Sequence, residues 1–490
     1  MGVAALFTAA GAALAWRISS QRKEATAEAE LERLKQSLPA VHDASDTLGL
    51  RIEPQRYIDL LAKLIGETSN LQNFPPELIP QEGLVAKHVL DALAPHSAEQ
   101  GGPLVIEKVE FTPGRPNLII KYPGTSPSGR TIGLIGSHMD VVPAVAENWE
   151  RDPFHLTVEG DKLYGRGTTD CLGHVALVTC LMEELAKTRP PMVSTVVAVF
   201  IASEEATAEV GVGIDGLQTA GKLDELKNGT CLWIDASDSE PCMGTAGTIQ
   251  WHLTATGKRF HSGLPHLGIN SIELAEEAIK YIQARFYKEF PAHPDEKRYH
   301  FSTCSTMKPT QIKCARGSLN QIPPTTTISG DVRLTPFYSA EKVVARIRQY
   351  VQELNDSKFG ALDRRGPCSK YELPAEGRIG RLEVEFAHEL EGSELCEGVA
   401  CSLDSPGFLA ICGAVEQVRG AVKPYSICGS LPLVASMKAS GFDLCITGFG
   451  KSEAYHAENE FASLADMSNA AKILSLYISK MEVYNRSLQQ

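Results

Sequence analysis

The sequence predicts an α/β fold interrupted by a smaller α+β insertion, and three observations carry that expectation. Short β-branched runs alternate with longer helical patterns over residues 51–247, and the same rhythm resumes over 401–490. Between them, over 248–400, the pattern changes to the polar–apolar alternation of half-exposed strands, accompanied by two helical runs. Finally, the buried-type strand runs of the first part end on side chains that can hold a metal. In open α/β sheets ligands bind beyond the carboxyl ends of the strands, so motif and fold class agree.

Residues 1–50 are set apart from the fold. Val3–Trp16 is apolar and Ala-rich, with Arg17, Arg22 and Lys23 after it. The run is short for a spanning helix, which needs roughly 17–25 residues. A secretory signal carries its positive charge before the apolar stretch, not after it. An organelle-targeting segment and a weak membrane anchor remain as two readings. Arg22–Leu38, rich in Glu, Ala and Lys, reads as a solvated helix.

In the first α/β part, Thr131–Ser137 is a buried strand that runs into His138-Met-Asp140. The glycine turn Gly165-Arg-Gly167 precedes Asp170, and a helix is expected over His174–Lys187. Val193–Ala202 is the next buried strand, running into Glu204-Glu205, and Cys231–Ile234 ends at Asp235. In the insertion, Thr248–Thr256 and Thr325–Leu334 alternate as strands, and helices are expected over Ile269–Phe286 and Ala340–Asn355. Residues 356–400 show little periodicity except at Arg381–Phe386. The returning α/β pattern brings in His456.

Two imidazoles with several carboxylates suit a pair of divalent, zinc-type cations, since a carboxylate can bridge two ions. The set contains no thiolate, which favours a catalytic site with open positions over a closed structural one. His138 and Asp140 stand two apart at a strand end and point the same way. Adjacent Glu204 and Glu205 cannot share a strand face, which suits two roles. Asp170 could equally be a helix N-cap, and Asp238 competes with Asp235. A surface position is the plainer reading of His456 taken alone. Gly448-Phe-Gly-Lys-Ser452 echoes a phosphate loop but has Cys445 where the first glycine belongs, so nucleotide binding is set aside.

Composition narrows the function class. Of the 490 residues, 43% are hydrophobic and 22% charged, as in ordinary soluble globular chains. A formal net charge of −13 argues against a nucleic-acid binder, which needs clustered Lys and Arg. Twelve scattered cysteines with no C-x-x-C pair read as reduced thiols of an intracellular protein, in cytoplasm, plastid or mitochondrion.

The runs GSHMDVVPA (136–144), GRGTTDCLGH (165–174), SEEAT (203–207) and GKRFHSGLPHLGINSIELA (257–275) resemble the dinuclear-zinc aminoacylase and carboxypeptidase family. Within it, STMKPTQ (305–311), NQIPP (320–324), SGDVRLTPFYS (329–339), LDSPGF (403–408), KPYSICGSLPL (423–433) and YHAENE (455–460) resemble the acetylornithine deacetylase branch in its plant and algal form. The likeness spans roughly 51–480. It implies a zinc-peptidase-like catalytic domain, with a mixed sheet flanked by helices, and an inserted α+β dimerisation or lid domain. It implies two Zn2+, replaceable by Co2+ or Mn2+, held by His138, Asp170, Glu205, Asp235 and His456, with Asp170 bridging. By the same resemblance Asp140 fixes the His138 ring, and Glu204 is the general base. His261 reaches into the active site of a second subunit; His266, close by, is its competitor. Arg333, Asn320 and Gly429 contact the substrate. The implied reaction is cleavage of an N-acyl amino acid, N2-acetylornithine foremost, in arginine biosynthesis by a homodimer. A dipeptidase and a catalytically inactive binding homologue are the alternatives. CGSLPLV (428–434) departs from the family's usual run and leaves acyl recognition open.

Overall fold

The computed structural model describes residues 38–206, 209–366, 371–391 and 395–489, together with Glu32, Arg33 and Gln36. The apolar run Val3–Trp16 and nearly all of the helix expected over Arg22–Leu38 lie outside the described residues. Among the described residues, no helix is long and apolar enough to cross a membrane.

The chain divides into two compact units. The first comprises residues up to Met243 with Cys401–Tyr425 and Ser436–Gln490; the second comprises Gly244–Ala400 and Ser426–Ala435. Two boundaries differ from the sequence expectation. Residues 426–435 leave the returning α/β part, because the Ala246 N–H is bound by the carbonyls of Ile427 and Gly429 at 3.1 and 2.8 Å. Residues 39–50 are built into the first unit, where Val41 and Leu50 are buried and the Leu50 N–H donates to Ser475 Oγ at 3.0 Å.

The first unit is organised on a mixed sheet. Its six leading strands run in the order Val105–Thr112, Arg115–Tyr122, Thr195–Phe200, Thr131–Ile135, Thr230–Ile234, Asp443–Thr447. The first two joins are antiparallel and the next three parallel. Continuous apolar sequence in the parallel strands matches burial on both faces. Helix Leu172–Thr188 is buried almost all round, packed by Pro54–Ile65 and Gly83–Leu93, so it carries no polar stripe. Pro406–Arg419 and Leu464–Ser487 pack against each other.

Parallel pairing puts the carboxyl ends of neighbouring strands side by side. His138 bridges Ile201, and the Asp235 N–H reaches the Thr447 carbonyl at 3.0 Å. Gly136 lets the chain leave its strand over buried Trp233. It takes φ 93°, and a Cβ there would lie 2.6 Å from the indole.

The second unit holds a four-stranded antiparallel sheet, in the order Thr306–Cys314, Thr325–Leu334, Gly247–Thr256, Arg381–Phe386. Alternating burial along Gly247–Thr256 and Thr325–Leu334 turns one face to a core shared with helices Ser271–Glu289 and Ala340–Asp356. The Ser271–Glu289 helix begins where the Asn270 side chain accepts the Ile272 N–H, and Ser339 caps the other in the same way.

Candidate metal centre

Three adjacent strand ends and two loops of the first unit bring seven of the expected residues to one place. His138 is fully buried, with Nε2 2.9 Å from Asp170 Oδ1 and 4.0 Å from Asp235 Oδ1. The other oxygen of Asp170 lies 3.1 Å from His456 Nε2, which also meets Glu205 Oε2 at 3.3 Å. Asp170 therefore joins a His138–Asp235 cluster to a Glu205–His456 cluster, each with donor atoms within 4.8 Å of one another. Helix Leu172–Thr188 takes Cys171 as its N-cap, without a side-chain cap bond, so Asp170 is not spent as a cap. Asp238 is occupied elsewhere, accepting the Ser452 N–H at 3.2 Å.

The His138 ring is held from behind. Its Nδ1 lies 2.9 Å from the Asp140 backbone carbonyl and 3.3 Å from Asp140 Oδ1. The Asp140 carboxylate does more than orient that ring. It accepts the Glu204 N–H at 3.1 Å, the Glu205 N–H at 3.0 Å and the Asn73 amide at 2.8 Å. Glu460 grips the other loop. Fully buried, it accepts the N–H groups of Gly167, Thr169 and Asp170 at 2.8–3.0 Å, and Arg166 Nη1 at 2.6 Å.

The electrostatics call for positive charge. Burial first, then the charge of Asp235, pushes Glu204 well above the usual carboxylate range. Burial and Asp170 raise Glu205, and burial with Asp170 takes Asp235 to about 7. Asp170 is lowered instead, because hydrogen bonds from His138 and His456 outweigh its burial, and Asp140 is lowered by His138, Asn73 and the Glu204 N–H. The His456 ring is raised to about 10 by Asp170 and Glu205. Glu205 Oε1 is buried without a hydrogen-bond partner. Buried carboxylates in this density need compensation, and the donor set, with an unpartnered Glu205 oxygen close to His456, fits divalent cations.

Cys171 is an addition to the expected set. Its sulfur lies among the donor atoms of the His138 cluster. Burial raises the thiol well above its ordinary range, and Sγ lies 3.7 Å from the Ile234 carbonyl and 3.3 Å from His174 Nδ1. It stands there as a neutral thiol in the cation-free chain.

The remaining expected residues belong to the second unit. His261 is exposed, and its Nδ1 accepts the Gly263 N–H at 3.0 Å. Asn320 is exposed, its carbonyl accepting the Ser262 N–H at 2.8 Å. Arg333 lies on strand Thr325–Leu334 with Nε 2.6 Å from Asp331, so part of its guanidinium is already paired. A Cβ at Gly429 would make only ordinary van der Waals contact, with Ile427 at 3.5 Å.

The sequence matches the model of peptidase family M20/M25/M40 over residues 134–480. The chain belongs to this family. Two relatives extend the likeness to most of the chain. Acetylornithine deacetylase of Arabidopsis thaliana is 53% identical over 432 residues, 88% of this chain and 96% of that one. The enzyme of the same name from Dictyostelium discoideum is 48% identical over 438 residues, 88% of this chain and 98% of that one. Among solved structures, a dipeptidase from Saccharomyces cerevisiae shares the fold at a TM-score of 0.58 and 16% identity, covering 91% of this chain and 98% of its own. A dinuclear metal-binding M20 peptidase of Bacillus subtilis does so at 0.56 and 14%, covering 88% and 99%. M20 members are metal-dependent hydrolases, and this chain is one of them.

Proposed function

We propose that the chain hydrolyses N2-acetylornithine to ornithine and acetate, supplying ornithine to arginine biosynthesis. Identity of 53% to an acetylornithine deacetylase, spanning 96% of that relative, carries the reading. Convergence of His138, Asp170, Asp235, Glu205 and His456 supports it.

In this reading His138, Asp170 and Asp235 hold one zinc ion, and Asp170, Glu205 and His456 the other, with cobalt or manganese as substitutes. When bound, such cations supply Lewis acidity toward the acyl carbonyl and acidify water. Glu204, pinned to Asp140 through its backbone but free at its carboxylate, takes the proton of the attacking water. It then delivers that proton to the amine nitrogen as the amide bond breaks. Since His261 Nδ1 accepts from Gly263, the ring carries its proton on Nε2. Extended from a second copy of the chain, that N–H donates to the carbonyl oxygen as it gains negative charge. The homodimer belongs to this proposal for that reason. Arg333 and Asn320 hold the substrate carboxylate and backbone, and Gly429 leaves room for them.

The deciding experiment strips cations with a chelator and restores zinc or cobalt. Release of the free amino acid is then followed across N-acetylornithine, other N-acyl amino acids and dipeptides. Acetylornithine is expected to give the highest kcat/KM, and only with cation restored. Preferential cleavage of a dipeptide would replace the substrate, and no cleavage in a cation-loaded protein would leave a binding homologue.

A further inference from the structure

Four successive backbone N–H groups around the proposed base are held by side chains from elsewhere in the chain. Ala202 donates to Asn117 Oδ1 at 3.0 Å, Ser203 to Glu82 Oε1 at 3.2 Å, and Glu204 and Glu205 to the two oxygens of Asp140. Three of the four acceptors are carboxylate oxygens, which bind N–H groups about twice as strongly as neutral acceptors do. Ser203 itself sits at φ 54°, a left-handed conformation that non-glycine residues seldom adopt without support.

Glu82 lies immediately before helix Gly83–Leu93 and is fully buried. Its carboxylate is fixed by Arg115, 2% exposed, which donates from Nη2 at 2.6 Å and from Nε at 2.9 and 3.1 Å. The second arm of Arg115 contacts Glu209, which also accepts the Ser203 hydroxyl at 3.3 Å. The guanidinium thus meets the Ser203 turn through two carboxylates, one on its N–H and one on its hydroxyl. An ion pair needed only for packing could satisfy itself without spending an oxygen on this turn.

We propose that Glu82, oriented by Arg115, is a positioning residue for the general base: it fixes the left-handed turn at Ser203 and so aims the Glu204 carboxylate. The proposal rests on the reading of Glu204 as base. Glu82 touches neither substrate nor cation; it acts through the Ser203 backbone.

The test must separate aim from stability, because removing one partner of a buried ion pair strands the other. Removing both charges together relieves that penalty while still leaving Ser203 without its carboxylate acceptor. Turnover of N-acetylornithine, cation content and thermal midpoint are therefore compared for the cation-loaded wild type, Glu82→Gln, and Glu82→Gln combined with Arg115→Met. The double variant is expected to regain much of the thermal midpoint that the single one loses. Its kcat should stay about tenfold to a hundredfold below wild type, with KM and cation content within about twofold, the scale of a reacting group misplaced by about 1 Å. Recovery of kcat together with the midpoint would overturn the proposal, as would loss of cations from the double variant. Should neither variant fold, Arg115→Lys decides, since it keeps the charge and loses the fork. A severalfold fall in kcat at unchanged KM supports the proposal, and wild-type kcat overturns it. Glu204→Gln is assayed alongside. Full turnover there sinks the base reading itself, whereas a dead Glu204→Gln beside a fully active double variant sinks only the role of Glu82.

Discussion

Asp170 and His456 meet at 3.1 Å, and His456 reaches that contact from a left-handed backbone conformation, φ 53°. Such a conformation persists only where its surroundings hold it. Glu460, on the same loop, binds the N–H groups of Gly167, Thr169 and Asp170, so one segment both presents the imidazole and fixes the carboxylate it faces. The two sides of the proposed second cation site are thereby tied together before any ion arrives.

His456→Asn isolates the ligand from the backbone, because Asn tolerates the left-handed region as well as any residue but glycine. The variant is expected to fold with a thermal midpoint in chelator modestly below wild type, because the imidazole facing Asp170 and Glu205 is gone, to lose the second cation, and to lose turnover by about a hundredfold or more. Elemental analysis alongside the kinetics checks it. Full cation content in the variant would remove His456 from the ligand set.

Much of this arrangement is legible in the sequence. His138, Glu204-Glu205 and Asp235 follow apolar runs that read as interior strands, and parallel pairing then sets them side by side. Asp170 and His456 lie in loops, where residue type and family likeness point to them but periodicity does not. What stays hidden are the side chains that hold the site from behind: Glu82, Asn117 and Glu460 on backbone N–H groups, and Asn73 and Arg115 on the carboxylates of Asp140 and Glu82. The N–H groups so held lie 85 to 293 residues away, and an N–H looks the same in every residue. A buried charged pair such as Glu82–Arg115 has no local signature either; each alone reads as a surface residue. Glu460 stood inside a motif recognised for its histidine, and only its burial shows what the acid is for.

Without cations, stability should fall as pH rises. Burial raises Asp235 from 3.8 to about 7 and Glu460 from 4.5 to about 7, while Asp170 and Glu205 raise His456 from 6.5 to about 10. In each case the folded chain binds its proton more tightly than the unfolded chain does. The associated stability is complete below the unfolded value and is lost as pH climbs through the folded one. The chelated protein should therefore lose thermal midpoint steadily from about pH 4 to about pH 10, with His456, which is half-exposed, contributing the smaller share of the upper part. Cations bound at Asp235 and His456 take the place of those protons, so the loaded protein should lose less over the same window. Thermal melts across pH with and without chelator measure the difference, and equal slopes would contradict the assignment of either residue to a cation.

Gly136→Ala probes how the strand hands His138 to the site. The residue takes φ 93°, and the added methyl would lie 2.6 Å from the ring of fully buried Trp233. Neither the backbone nor the indole has a cheap way to yield. A loss of about 2–4 kcal/mol is expected, combining overpacking with an unfavourable backbone conformation. Chemical denaturation gives the value, and a loss under about 0.5 kcal/mol, the scale of an ordinary surface substitution, would mean the strand end can shift freely.

Residues 39–50 should prove indispensable to the first unit although they precede its first long helix. Lys480, in the middle of helix Leu464–Ser487, is fully buried, and its ammonium donates to the carbonyls of His42 and Ala44 at 2.5 and 2.7 Å. Burial lowers it to about 8, and no carboxylate bonds it directly in that set. Asp46 and the N–H groups of Leu48 and Leu50 pair with Ser475 and Ser479 on the same helix. A chain beginning at residue 38 keeps all of these partners and is the reference. One beginning at residue 51 strands a buried cation, a change worth about 3–5 kcal/mol when an ion loses its partner. Lys480→Met separates that charge penalty from lost packing. In the full chain it should destabilise, by about 1–3 kcal/mol, because two carbonyls lose their donor. In the shortened chain it should stabilise, because the stranded ammonium is gone. Opposite signs in the two backgrounds, read by denaturant titration, are the coupling expected of a direct contact. The same sign in both would show that the amino-terminal segment and Lys480 act independently.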